Sequence, residues 1–355
     1  MSAAKIRVLV VDDSVFMRTM LKGALGSLPD VEVISTAQNG AEGLDKIRSM
    51  KPDVVTLDIE MPGLTGLQVL EAVMKECPTP IVVVSTKTQT GAKTTMEALE
   101  RGAVTCLAKP LAEKGTTLEA FRESVVHAVR DAAHANRSQL TGHKAAPPPK
   151  ALAVADIPMD VVIAIGISAG GPQTLHALLP SFPAHFPPIV LTQHMPAGFT
   201  GPFAERLNQS CQLEIKEART NDELKPGRLL LAPGDFHLRV CKQGRKLMVA
   251  LSDGPKVSGF RPSVDVMFDS VGAAVGGRAV ACVLTGMGND GSAGIRMLKQ
   301  HGAKTIAQDQ ATSVVYGMPK AAFETGCIDR VAPLGGVLNA IIEAARSFAR
   351  EPVGV

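Results

Sequence analysis

Residues 161 to 171, Val-Val-Ile-Ala-Ile-Gly-Ile-Ser-Ala-Gly-Gly, are built for chemistry. The apolar, mostly β-branched opening reads as a buried strand. Gly166-x-Ser168-x-Gly170-Gly171 then breaks it, and after Pro172 the run Thr174 to Leu179 starts a helical pattern. A serine between glycines at a strand-to-helix turn has the geometry of a nucleophile. Small neighbours let the chain turn sharply and push Oγ out beyond the sheet edge. Amides opening the helix can stabilise an oxyanion or any other anion. Two rivals stand beside that reading. A dinucleotide loop would need glycine where Ser168 stands. A tight turn without chemistry needs nothing further.

Serine is a weak nucleophile unless a base takes its proton, and the base needs a carboxylate to fix its tautomer. Ligands of open α/β sheets bind beyond the carboxyl ends of the strands. The apolar run Pro187 to Thr192 ends at Gln193-His194-Met195-Pro196, and Ala279 to Leu284 ends at Thr285-Gly-Met-Gly-Asn-Asp290-Gly291. Ser168, His194 and Asp290 would therefore meet in one crevice. Among eight histidines His194 is best placed; His237 is second, but sits in an expected hairpin around Gln243-Gly244. The order Ser, His, Asp differs from the Ser, Asp, His of an α/β-hydrolase, so that fold is not implied.

A second constellation lies upstream. Ile6 to Val11 reads as a strand closed by Asp12-Asp13, Asp53 to Leu57 as one ending at Asp58, Pro80 to Ser85 as a fourth strand and Val104 to Ala108 as one ending at Lys109-Pro110. Helices are expected between them, including Thr94 to Gly102, with Leu118 to Ala133 closing the series. Three carboxylates at one edge are costly unless a cation neutralises them, and all-oxygen ligation suits Mg²⁺. The hydroxyl of Ser85 and the ammonium of Lys109 suit an incoming phosphoryl group.

Strands alternating with helices throughout imply α/β architecture: two doubly wound, mainly parallel sheets. The expected division is 1–130, a linker over 131–157, and 158–355. The linker rests on fading periodicity and on Pro147-Pro148-Pro149, which cannot continue a helix. In 355 residues, 45% hydrophobic, there is material for both cores. Aromatics are 3%, with no Trp and Tyr316 alone, and net charge is +3 with dispersed bases. Both features speak against nucleic-acid binding. Six cysteines without a C-x-x-C suggest reduced, mostly buried thiols. No apolar run approaches the ~18 residues of a membrane span, and Val8 to Val11 is too short for a signal peptide. A cytoplasmic protein without membrane insertion is expected.

The upstream constellation, with Asp58-x-x-Met61-Pro62-x-x-x-Gly66 and Lys109-Pro110, resembles a response-regulator receiver domain over residues 4 to 130. The resemblance implies that Asp58 accepts a phosphoryl group, that Asp12 and Asp13 bind Mg²⁺ with it, and that Ser85 and Lys109 contact the phosphoryl. Cys106 stands where such domains often carry an aromatic switch residue, so another element must carry the signal.

Placed after a receiver, four segments resemble the chemotaxis methylesterase family, CheB: Gly166-Ile-Ser-Ala-Gly-Gly-Pro172, Gln193-His-Met-Pro196, Arg261-Pro-Ser-Val-Asp265 and Leu284-Thr-Gly-Met-Gly-Asn-Asp-Gly291. That resemblance implies hydrolysis of glutamate methyl esters on chemoreceptors, deamidation of receptor glutamines, and a chemotaxis histidine kinase as phosphodonor. By position it makes Ser168 the nucleophile, His194 the base and Asp290 its orienting carboxylate, with the Met287 amide as oxyanion donor and no cofactor at the hydrolase site. Two residues depart from the family pattern. Ala169 stands where threonine is frequent, leaving only its amide to donate. Phe260 stands where a polar ring is usual. Two sites on one chain further imply that phosphorylation governs access to Ser168. Two rival readings remain for the second half: a phosphorylation-dependent binding module, and a nucleotide-binding domain.

Overall fold

The protein is described by a computed structural model covering residues 4–86, 88–110, 118–141 and 157–349. It forms two compact units, one within residues 1–143 and one within 144–355.

The first unit runs β1 (Ile6–Val11), α1 (Val15–Gly26), β2 (Val31–Ala37), α2 (Gly40–Met50), β3 (Val54–Asp58), α3 (Gly66–Glu76), β4 (Ile81–Ser85), α4 (Gln89–Glu100), β5 (Thr105–Ala108), α5 (Leu118–Ala133) and α6 (Arg137–Leu140). Its five strands pair in parallel in the order β2-β1-β3-β4-β5. The central strands are buried along their whole length, as the unbroken Val/Leu/Ile runs require when helices cover both faces. Helix α4 begins at Gln89 rather than near Thr94. The Thr88 hydroxyl accepts the Gly91 amide at 3.0 Å, an N-cap that starts the helix one turn early. Of the expected linker, α5 fills the first residues and Leu140 of α6 is fully buried. Residues 142–156, with the three prolines, lie outside the described residues.

The second unit runs β6 (Val162–Ile167), α7 (Gly171–Leu178), β7 (Ile189–Gln193), α8 (Thr200–Ser210), β8 (Glu214–Glu217), β9 (Arg228–Leu231), β10 (His237–Gln243), β11 (Lys246–Ser252), α9 (Val264–Val275), β12 (Ala279–Val283), α10 (Ser292–Gln300), β13 (Lys304–Gln308), α11 (Met318–Glu324), β14 (Arg330–Ala332) and α12 (Val337–Ser347). Seven strands pair in parallel in the order β14-β13-β12-β6-β7-β9-β8, and β10 with β11 forms the expected separate hairpin. The α/β class with two parallel sheets is borne out. Four elements escaped the sequence reading: α8, β8, α11 and β14. The strands among them are short sheet edges with polar residues, and α8 opens on Gly201-Pro202, a sequence that reads as a loop.

Gly166 does not break its strand; β6 continues to Ile167. Its glycine serves close packing instead, since a Cβ there would lie 2.3 Å from Val264 Cγ1 at the start of α9. Gly166→Ala is expected to destabilise the second unit by about 1–3 kcal/mol through overpacking. A fall in the denaturant midpoint with unchanged slope would show it. Among the described residues no helix is long and apolar enough to cross a membrane. Of six free cysteines, only Cys106 and Cys282 are buried; the other four are half-buried, fewer inside than expected.

Candidate active site

Register brings the serine and histidine together. Strands β6 and β7 pair Ile167 with Gln193, so the next residues, Ser168 and His194, leave the sheet side by side. The His194 amide donates to Ile167 O at 3.1 Å. On the other side β12 pairs Val283 with Gly166, and the Ser168 amide donates to Thr285 O at 2.9 Å. Gly170 then adopts φ +73°, and α7 starts at Gly171. At that φ an L side chain is strained, and a Cβ would also sit 2.4 Å from Val314 Cβ. The turn is thus the strained strand-to-helix bend expected of a nucleophilic serine at a sheet edge.

His194 Nδ1 lies 3.0 Å from Ser168 Oγ, and Nε2 lies 2.8 Å from Asp290 Oδ2. The partners fix the tautomer: an anionic carboxylate can only accept, so Nε2 carries the proton and donates it in a hydrogen bond, leaving the Nδ1 lone pair for the serine hydroxyl. All three side chains are at least nine-tenths buried.

Asp290 is seated by the start of α9. Its Oδ1 accepts from Ser263 Oγ at 2.8 Å and the Asp265 amide at 3.0 Å; Oδ2 accepts from the Val264 amide at 2.7 Å. A helix N-terminus favours an anion. The arrangement is reciprocal: Asp265 Oδ1 accepts the Gly291 and Gly294 amides at 2.9 and 2.8 Å, at the start of α10. Burial pushes both carboxyls up. For Asp290 the His194 ring and the α9 amides outweigh burial, and it ends below the usual range. Asp265, with burial foremost and the charge of Asp290 beside it, is raised to about 6. Asp290 therefore carries the negative charge that an imidazolium needs.

His237 is not available as a base. Its Nδ1 accepts the Ser263 amide at 3.2 Å and its Nε2 donates to Pro255 O at 2.9 Å. It braces the seat of Asp290. Gln193 has a comparable part, since Nε2 donates to both Ser168 O and His194 O, at 2.9 and 3.0 Å. Neither Ser263 nor Gln193 was singled out from sequence. The spacing of Ser263-Val264-Asp265 before a helix is an N-cap signal, but nothing local reveals which anion it holds.

Two amides belong to turns beside the serine. A Cβ on Gly286 would stand 2.7 Å from Ser168 Cβ, so the turn leading into Met287 packs against Ser168. Among the described residues neither the Met287 nor the Ala169 amide is bound to a protein acceptor. Two free N–H groups beside an activated serine can meet an oxyanion.

In the first unit Asp12 and Asp58 are buried while Asp13 is exposed, and their carboxylate oxygens lie within 4.8 Å of one another. Lys109 Nζ sits 2.6 Å from Asp58 Oδ2 and 3.1 Å from Asp12 Oδ2. The latter contact is off hydrogen-bond geometry, so Asp12 Oδ2 is a buried oxygen left without a hydrogen-bond partner. An orphaned carboxylate oxygen in an all-oxygen cluster fits a hard divalent cation. Ser85 is buried, its Oγ 3.5 Å from Gly91 O, and β4–β5 pairing places it beside Lys109. Cys106 is buried too, and burial pushes its thiol up to about 12, an inert packing residue.

Burial raises Asp58 to about 6 against the pull of Lys109, and raises Asp12 as well. The native state thus binds the Asp58 proton more tightly than the unfolded chain does. That contribution to stability is complete below the ordinary value of 3.8 and is lost as pH rises through about 6. Without divalent cation, Asp58→Asn is therefore expected to gain in unfolding midpoint over wild type as pH goes from acidic to neutral. Mg²⁺ should then raise the wild-type midpoint at neutral pH, by binding the native state. Parallel midpoints of the two proteins across pH would contradict the burial argument.

Comparison with known proteins follows the same division. A family model described as CheB methylesterase matches residues 163–341, and one described as response regulator receiver domain matches residues 8–120. The protein-glutamate methylesterase/protein-glutamine glutaminase of Sulfurimonas denitrificans is 44% identical, over 94% of this chain and 96% of its own length. Protein-glutamate methylesterase/protein-glutamine glutaminase 1 of Caulobacter vibrioides is 46% identical, over 96% of this chain and 98% of its own. The crystal structure of the Thermotoga maritima CheB methylesterase catalytic domain superposes with a TM-score of 0.51 at 41% identity, covering 52% of this chain and 97% of that domain.

Proposed function

The chain belongs to the CheB methylesterase family, with a response regulator receiver domain ahead of the methylesterase unit, and from that premise we propose that it demethylates glutamate methyl esters on chemoreceptors and deamidates receptor glutamines, in the cytoplasm and under control of phosphorylation at Asp58. The observation that carries the chemistry is the continuous Ser168–His194–Asp290 hydrogen-bond chain, at 3.0 and 2.8 Å.

Ser168 Oγ attacks the ester carbonyl carbon as its proton passes to His194 Nδ1. Asp290 stabilises the resulting imidazolium, and the Met287 and Ala169 amides meet the oxyanion. The carbon–methoxy bond then breaks, and the imidazolium proton leaves with methanol. Water attacks the acyl-enzyme, again giving its proton to His194. Collapse returns that proton to Ser168 and frees glutamate. With a glutamine side chain the same steps release ammonia.

In the receiver, Asp58 takes the phosphoryl group from a chemotaxis histidine kinase. Asp12, Asp13 and Asp58 would hold Mg²⁺, which supplies charge neutralisation for the phosphoryl oxygens. Lys109 pairs with the phosphoryl, and Ser85 offers a hydroxyl to it. The nucleotide-binding rival lacks support, since Ser168 stands where a dinucleotide loop needs glycine and its hydroxyl is engaged by His194. The binding-module rival predicts a silent serine.

The test is mass spectrometry of methylated chemoreceptor incubated with the protein, with and without phosphodonor and Mg²⁺. Ester loss and methanol release, faster with phosphodonor, are expected. A receptor left fully methylated by the phosphorylated protein would end this reading.

A further inference from the structure

Phe260 lies flat against the catalytic imidazole. Its ring centroid is 3.8 Å from that of His194 and the two planes differ by 6°. The ring is delivered by a tight device. Ser258 and Gly259 both have positive φ, +53° and +83°, and Val257 and Phe260 exchange N–H···O bonds of 3.0 and 2.9 Å. Positive φ at both central residues marks the two-residue hairpin turn whose twist suits a closed pair. Next to it, Arg261 Nη1 donates to Asp253 O and Gly254 O, and Arg261 O accepts the Asp235 amide. The backbone that carries Phe260 is therefore fixed on both sides.

The hydrogen bonds of His194 define two points on its ring, Nδ1 and Nε2. The ring can still rock about its Cβ–Cγ bond, because hydrogen bonds tolerate a range of angles. A flat wall against one face removes that freedom and excludes water from the face. An aromatic face also attracts a neighbouring cation, so it favours the imidazolium that forms when His194 takes the serine proton.

Resting on the hydrolase reading above, we infer that Phe260 is a positioning residue for catalysis: its ring holds the His194 imidazole in the plane that joins Ser168 to Asp290. The apolar ring at this position thus acts on the base.

The experiment uses the full chain with Mg²⁺ and acetyl phosphate, and a small fluorophosphonate that reacts with activated serines. Such a probe is too small to need a receptor-binding surface. Wild type should be labelled at Ser168. Phe260→Leu keeps apolar bulk without a flat face and should slow labelling on the order of 10-fold, the scale of an aromatic pair. Misalignment of the base would take the loss toward ~100-fold. Phe260→Tyr should restore the wild-type rate. On methylated receptor, Phe260→Leu should lower kcat with KM unchanged, and the ring-current shift of the His194 carbon-bound protons should disappear from the proton spectrum. Equal labelling rates in Phe260→Leu and wild type would overturn the inference, as would a loss confined to KM on receptor, which marks a substrate contact. A thermal midpoint equal to wild type keeps folding out of the comparison; where Phe260→Leu falls short of it, Phe260→Met, which also keeps apolar bulk without a flat face, carries the rate test. Should wild type itself resist labelling at Ser168, the hydrolase reading fails first and this inference with it.

Discussion

Ser168→Ala will lower methyl-ester hydrolysis by about 10⁴-fold or more, because the step it removes, covalent acyl transfer, has no substitute group in the crevice. The other nucleophilic or basic candidates nearby are engaged. Thr285 Oγ1 donates to Ala169 O at 2.9 Å, and both nitrogens of His237 are engaged. Asp290→Asn should cost on the order of 10⁴-fold as well, by a different route. An asparagine carbonyl in the Oδ1 position can still accept from Ser263 Oγ and the Asp265 amide, but its NH₂, in the Oδ2 position, would face His194 Nε2–H and the Val264 amide. The ring must then flip its proton to Nδ1 and can no longer accept from Ser168. The double variant should be little worse than either single one, since the groups act as a unit. Methanol release from methylated receptor measures all three. Additive losses, or Ser168→Ala above a tenth of wild-type rate, would show that the hydrogen-bond chain is structural.

Asp58→Asn will remove activation by phosphodonor altogether. Its basal hydrolysis should match that of unphosphorylated wild type, since Asp58 lies in the other unit. Asp58 lies nearer to Lys109 than Asp12 does, at 2.6 against 3.1 Å. Asp13 is exposed, and Asp12 carries the orphaned oxygen that a cation would take. Removing residues 1 to about 150 should raise basal activity if the unphosphorylated receiver restrains the catalytic unit, a population shift that phosphorylation reverses. The ratio of phosphorylated to unphosphorylated rates, in wild type and Asp58→Asn, tests the first point. The truncated chain tests the second. Activation persisting in Asp58→Asn would move the phosphoryl acceptor elsewhere.

These two predictions rest on residues that the sequence made visible for different reasons. Asp12, Asp13, Asp58, Ser85 and Lys109 stand at the ends of four neighbouring strands, β1, β3, β4 and β5, and parallel pairing leaves them only one edge to share. Ser168, His194 and Asp290 follow the same rule. Strand ends are legible because long apolar runs and a change to polar residues are properties of the chain itself. Edge strands β8 and β14 and helix α8 carry no such contrast, and they went unread.

What tertiary structure alone decided is how those residues are held. Gly166 looked like the start of the turn, yet it lies inside β6 and makes room for Val264, which arrives from nearly a hundred residues away. Asp265 and Asp290 exchange places at the starts of α9 and α10, a reciprocity that depends on how two helices pack. His237 looked like a rival base until both of its nitrogens found partners. Phe260 read as a departure from the family pattern, and the fold stacks it on His194. The sequence by itself determined which groups reach the crevice, because strand periodicity and termination are local. Their orientation, charge state and support were decided by contacts between distant segments, which no local pattern encodes.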